Sequence, residues 1–219
     1  MPVDYLSPAA KQIIKPGMTP CEKAQALNQQ QLSSDAVKSM AHGLPEPKAV
    51  QWATASAEKV SNPAHTTDFQ AIQAAKAWCQ NPSTQTQQLA AQAASKAGFQ
   101  TPGSWAAQAA ASAGSGTGLT AHAAGGAVML AAAQGGKPIS PPGAPAPQPA
   151  PPTPPQPAKA SFQLPFFKKP CVQPVAQTPQ TPALGPDGLT LTPAQRTEMA
   201  KNTDPYLKLG CAIGDGSPS

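Results

Sequence analysis

SWAAQAAASAGSGTGLTAHAAGGAVMLAAA, Ser104 to Ala133, holds one Trp, two Leu, one Val and one Met, and almost nothing else larger than alanine. Alanine is the best helix former, because it loses no side-chain entropy and carries no bulk. The GSGTG interruption, Gly114 to Gly118, reads as a flexible helix–helix connection. It matches neither the G-x-G-x-x-G fingerprint nor a P-loop, and no strand precedes it. Helices lined with Ala and Gly approach more closely than Leu-lined ones, so aromatic side chains must fill the remaining gaps. LTAHAAGGAVMLAAA, 119–133, is only fifteen residues and includes His122. A spanning helix needs about twenty predominantly apolar residues, so a buried helix is expected here.

Outward from this stretch, the first 135 residues punctuate themselves as short helices. Thr19-Pro20-Cys21-Glu22 combines an N-cap, an N1 proline and a capping-box Glu, and predicts a helix to about Gln31. Ser33 or Ser34 caps the next, which stops at Gly43. Pro45 opens a third, on which Val50, Ala53, Ala57 and Val60 share a face with Trp52 beside it. A fourth carries Phe69, Ile72, Ala75 and Cys79 on one face, flanked by Trp78, and Asn81-Pro82 ends it. Ser83 caps a fifth helix containing Leu89, stopped by Gly98, with Phe99 poised to fold back on the helix end. Thr101-Pro102 starts a sixth, with Trp105 near its beginning, and Leu119 or Thr120 starts a seventh carrying Leu130. No β-type alternation interrupts the series. The expected core is Trp52, Phe69, Ile72, Trp78, Leu89, Phe99, Trp105 and Leu130. The three tryptophans fall 26 and 27 residues apart, but their surroundings share too little for a repeat array, so a bundle is favoured.

The remainder changes character. PPGAPAPQPAPPTPPQP, 141–157, contains ten of the chain's 29 prolines. Polyproline backbone has no internal hydrogen bonds and no core to bury, which predicts an extended spacer. SFQLPFFKKPC, 161–171, then places Phe162, Leu164, Phe166, Phe167, Lys168 and Lys169 together. Four apolar residues are costly to leave without a partner. Farther on, Thr192-Pro193 and Asp204-Pro205 each resemble a helix start, and Tyr206, Leu207 and Leu209 supply a small apolar face. Both clusters read either as candidate docking motifs on a spacer or as segments that pack back on the parent domain. The organisation expected is an arm at 1–17, an all-α compact bundle of about six or seven short helices at 18–136, a proline-rich linker at 137–191 and a short helical tail at 192–219. The linker and tail are expected to be disordered apart from that short helix.

Few function classes survive the composition. The net charge is +5 with only 11 % charged residues, and the single arginine is Arg196. Through Gly135 eight Lys face six Asp or Glu, so there is no basic patch and nucleic-acid binding is not expected. His42, His65 and His122 show no metal-ligand spacing with one another or with any Cys. No carboxylates pair on one helical face for acid–base work. A Cys21 or Cys79 nucleophile would need a histidine within reach. No cofactor, metal or catalytic residue is therefore assigned, and the chain is not expected to be an enzyme. The start, MPVDYLSPAAKQIIKPG, lacks the apolar run of a signal peptide. Cys21, Cys79, Cys171 and Cys211 form no C-x-x-C pair and make a poor disulfide framework. Reduced thiols and a cytoplasmic setting are the expectation.

In order, AVQWA (49–53), AAKAWCQNPS (74–83), AASKAGFQTPGSWAAQAA (93–110) and LTAHAAGGAVMLAAA (119–133) form a set. It resembles an uncharacterised bacterial Ala/Trp-rich helical domain family, known by number rather than by activity and associated with type VI secretion gene clusters. The likeness covers roughly residues 18–135. Its pattern is an early Trp-Ala, Ala-x-x-Trp-x-x-x-Pro, Gly-x-x-Thr-Pro-x-x-Trp, then Leu-Thr-Ala and an Ala/Gly helix. Such domains carry more arginine, whereas TQTQQLAAQ here is rich in glutamine and the domain has none. The resemblance implies an accessory or adaptor protein whose partners are type VI spike or effector components, exported with a secretion apparatus or working beside it in the cytoplasm. Membrane contact is not expected. The alternative is an oligomeric structural component with no secretion role.

Overall fold

The computed structural model describes residues 5–137 and 191–215, and among them nine helices form and no strand. They are α1 (Pro8–Ile13), α2 (Pro20–Gln29), α3 (Ser33–Gly43), α4 (Glu46–Lys59), α5 (Thr66–Gln80), α6 (Thr84–Ala97), α7 (Pro102–Ser112), α8 (Leu119–Ala133) and α9 (Pro193–Gly214). The starts follow local chemistry. Thr19, Ser83, Thr101 and Thr192 each close a capping box, with N1 prolines at Pro20, Pro102 and Pro193. Such a box satisfies backbone donors that the helix itself leaves orphaned. Gly98 ends α6 in the left-handed region at φ +76°.

Two apolar clusters organise the helices. The first joins α4, α5, α6, α7 and α8, and fifteen of its eighteen buried residues are alanine, with Val50, Ile72 and Trp78 as the exceptions. The second joins the N-terminal segment, α2, α3 and α9 through Leu27, Val37, Met40, Trp52, Val128, Tyr206 and Leu207 among others. Helices α4 and α8 serve both, presenting Ala53 and Ala124 to one cluster and Trp52 and Val128 to the other.

This arrangement corrects part of the expected core. Trp52, Ile72 and Trp78 are buried, Trp105 and Leu130 half-buried, while Phe69, Leu89 and Phe99 are 39 %, 50 % and 41 % exposed. The cause is the closeness of the helices. Helix α6 turns Ala90 and Ala94 inward rather than Leu89, and α5 turns Ala71, Ile72 and Ala75 inward rather than Phe69.

The C-terminal segment is also corrected. Tyr206 and Leu207 are buried in the second cluster and Leu209 is half-buried against it, so these residues pack on the body rather than face a partner. Pro205 does not start a new helix but lies inside α9. An interior proline costs about 3 kcal/mol in an isolated helix, and here the burial of Tyr206 and Leu207 beside it offsets that cost. The arm, too, belongs to the body, since Leu6 and Ala10 are buried. Phe162, Leu164, Phe166, Phe167, Lys168 and Lys169 lie outside the described residues.

The cysteine expectation fails for a physical reason. Cys21 and Cys211 form a disulfide across a sequence separation of 190, because α9 returns to lie against α2. No spacing rule reaches so far. Closing the loop restricts the chain between the two cysteines.

Two buried carboxylates pin distant segments to helix starts. Asp35 accepts from both the backbone N–H (2.9 Å) and the hydroxyl (2.8 Å) of Ser7, the N-cap of α1. Asp68, fully buried, accepts from the Gly103 N–H at 2.9 Å in the first turn of α7, while its second oxygen is buried without a partner. Replacing Asp68 with alanine strands the Gly103 N–H in the interior. Asp68→Ala is expected to lower the unfolding free energy by about 1.5–3 kcal/mol, measured as a fall in the urea midpoint at unchanged slope. A change below about 0.5 kcal/mol would show that this bond does not hold α5 to α7.

Candidate functional site

The described surface carries a run of aromatic and imidazole rings in two groups, Phe99–Trp105–His122 and His42–Tyr5. It begins where α6 stops. Gly98 takes φ +76° and Phe99 follows at φ +56°, a conformation that costs an ordinary L-residue roughly 1–2 kcal/mol. The Trp105 indole N–H donates to the Phe99 carbonyl at 2.8 Å and fixes that turn. The Phe99 ring stands edge-on to Trp105, with centroids 6.3 Å apart and planes at 69°. Trp105 in turn meets His122 at 6.3 Å and 65°. Beneath it lies Gly126 of α8, where a Cβ would come within 3.0 Å of the indole. The glycine therefore lets the ring rest on the helix backbone.

The second group lies on α3 and before α1, close enough for His122 to act electrostatically on His42. The α8 start abuts this helix, since a Cβ on Gly118 would lie 3.9 Å from the His42 ring. Tyr5 stacks on His42 at 4.1 Å with planes 19° apart. Tyr5 and His42 also line a cleft of about 480 Å³ with Lys23, Ser39 and Leu44. Edge-to-face and offset pairs of this kind are favourable beyond their buried area. The result is a ribbon of Phe99, Trp105, His122, His42 and Tyr5, drawn from five separate segments. Sequence reading placed Phe99 and Trp105 in the core and gave His42, His122 and Tyr5 no joint role. The available signal was Gly98-Phe99, an aromatic just beyond a left-handed stop.

The other chemically notable groups are quieter. Cys21 is bonded to Cys211, and Cys79, the free thiol among the described residues, is pushed up in pKa chiefly by burial. A weak contact from Thr54 at 4.0 Å opposes that shift, and nearby Glu58 reinforces it. Neither cysteine thus presents a thiolate to a histidine. Cys79 borders a cleft of about 410 Å³ beside an exposed Lys76–Glu58 ion pair of 2.7 Å. No group of His, Cys, Asp and Glu among the described residues has metal-site geometry. None of the described helices is long and apolar enough to cross a membrane.

The ribbon has a pH signature. The His42 pKa lies below its ordinary value of 6.5, first because the ring is partly buried and second because His122 lies close by. The folded state therefore binds this proton less readily than the unfolded state does. The stability it confers is present above the ordinary value and is lost as pH falls through the folded pKa. The thermal midpoint is expected to drop between about pH 7.5 and about pH 5, and His42→Phe, which keeps a ring on Tyr5, should flatten the drop. An unchanged slope in that variant would mean that His42 does not carry it.

No curated protein and no solved structure matches this chain. One family model does, over residues 24–142, a span running from within α2 past the end of α8. It takes in the whole alanine-lined cluster and, from the ribbon, His42, Phe99, Trp105 and His122, but stops short of α9. With more than half its length matched, the chain belongs to DUF6931, a family of unknown function.

Proposed function

We propose that this chain is a non-catalytic accessory or adaptor protein that docks a protein partner on the Phe99–Trp105–His122 surface. Its setting in this proposal is type VI secretion, where it would load a spike or effector component. Phe99 carries the docking reading, being a large aromatic held exposed in a left-handed backbone conformation. Strained backbone persists only where its surroundings enforce it, and such positions cluster at functional sites. Aromatic side chains with a rigid setting are also the anchors that dominate protein interfaces. The secretion setting comes from the sequence resemblance, and the family adds no activity to it.

In this proposal the SFQLPFFKKPC motif, 161–171, would supply a second contact, raising the effective concentration of the first.

The test uses the tagged full-length chain and its Phe99→Asn variant, drawn from cells with an assembled type VI apparatus and compared by quantitative mass spectrometry. Asparagine tolerates the left-handed region better than phenylalanine. The variant should thus keep or raise the thermal midpoint while recovering about tenfold less spike or effector subunit, as expected for loss of an interface anchor. Equal recovery would remove the ribbon from the proposal. Absence of any secretion subunit from the wild-type sample would remove the setting.

A further inference from the structure

Helix α9 behaves as a ligand of its own chain. Residues 134–192 separate it from α8, and it lies in a groove formed by α2, α3, α4 and α8. Its Gly210 rests on the Trp52 indole, where a Cβ would come within 3.0 Å of Nε1 and 3.2 Å of Met40. The Trp52 N–H donates to the Tyr206 carbonyl at 2.7 Å, and the Tyr206 hydroxyl donates to the Ala131 carbonyl at 3.3 Å. At the end of the helix the Lys48 ammonium donates to the Gly214 carbonyl at 2.6 Å. Along its first half the side-chain bonds are Asn28 to the Ala200 carbonyl and Gln31 to the Thr197 hydroxyl, each 3.0 Å.

Three observations bear on how this helix is held. All eighteen buried residues of the alanine-lined cluster come from α4 to α8 and the loop after α7, so that core is complete without α9. The family match likewise ends before α9. Finally, α9 and α2 are covalently fastened to each other, through Cys21 and Cys211. Both cysteines are only half-buried, and a cavity of about 180 Å³ lined by Cys21, Cys211, Gly210 and Gly214 opens beside the bond. The polar neighbour of the sulfurs is the exposed Gln25 amide, at 3.3 and 3.8 Å. A small thiolate can reach a disulfide placed this way, and access is one of the conditions for exchange.

We propose that Cys21–Cys211 is a redox latch on α9: oxidised, it locks the helix in the groove, and reduced, it lets α9 leave locally while the α4–α8 core stays folded. The reductant is a dithiol. Its first thiolate attacks one sulfur to give a mixed disulfide, and its second displaces that sulfur. The Cys21–Cys211 bond breaks, two protein thiols form, and the dithiol becomes a cyclic disulfide, so two electrons pass to the protein and the protons balance. Release bares Trp52 and Met40, on which Gly210 rests, and the Ala131 carbonyl that the Tyr206 hydroxyl caps. Parts of a fold can open below the global unfolding free energy as cooperative units, and removing the covalent tie lowers the cost of opening α9 as one such unit.

Hydrogen–deuterium exchange on the full-length chain, oxidised and then treated with dithiothreitol, tests this, with Cys211→Ser as the genetic counterpart of reduction. Amides of 193–214 should exchange about tenfold or more faster after reduction, while those of 66–112 keep their protection. The intrinsic fluorescence should also shift to the red as Trp52 meets water. Unchanged protection in 193–214 would show that packing alone holds α9 and would overturn the latch. A rise of equal size across 66–112 would overturn it too, since the bond would then be a staple for the whole molecule. Neither readout depends on partner binding at the aromatic ribbon.

Discussion

Alanine methyl against alanine methyl is the contact on which this molecule depends. Each such contact removes little apolar surface, and at about 25 cal/mol per Å² an alanine contributes far less than a leucine. Two things compensate. Alanine pays no side-chain entropy on burial, and its size brings helix backbones close enough for dense van der Waals packing. The first cluster is built almost wholly this way, from α4 to α8. Its helices therefore sit too close to admit large side chains in numbers, and Trp78 and Ile72 take the limited space. Phe69, Leu89 and Phe99 are left outside as a direct result.

A core of small residues also raises the importance of polar pins. Asp35 and Asp68 are almost wholly buried, and each satisfies N–H groups at a helix start contributed by a distant segment. Placing a carboxylate at a helix N-terminus adds a favourable interaction with the helix dipole. These acids do what bulky apolar contacts do in other helical proteins, fixing which helix meets which. They were invisible in the sequence for that reason, since nothing in Asp68 taken alone points to Gly103.

What could be read from the sequence follows the range of the interaction concerned. The capping boxes at Thr19, Ser83, Thr101 and Thr192 span four residues each, and each helix starts where local chemistry placed it. The all-α class and the small-residue packing of α7 and α8 are equally local, following from propensity and periodicity. Orientation of each helix about its axis is not local. On α6 the choice between Leu89 and Ala90 is made by the distance to α7, which no sequence window contains. The same holds for Cys21 with Cys211 and for the return of α9, where a proline at 205 suggested a break that tertiary burial overrode. Of the ribbon, only the Gly98-Phe99 stop had a local signal, because its other members meet through tertiary packing.

The ribbon also lies across the seam between the two apolar clusters. Phe99 follows α6 and Trp105 belongs to α7, both helices of the alanine-lined cluster. His42 sits on α3 and Tyr5 before α1, both packed with the second cluster. His122 stands on α8, which serves both clusters. The rings are thus held in register by α8, and α8 takes its position from Ala124 and Ala127 on one side and Val128 and Ala131 on the other. Any rearrangement of the second cluster would move Tyr5 and His42 relative to Trp105 while leaving the Phe99–Trp105 pair intact. The Trp105 indole is fixed to its own side of the seam by the Phe99 carbonyl and the Gly126 backbone, and neither contact involves α3 or α9. One half of the surface is therefore rigidly preset, and the other is set by how the second cluster is packed.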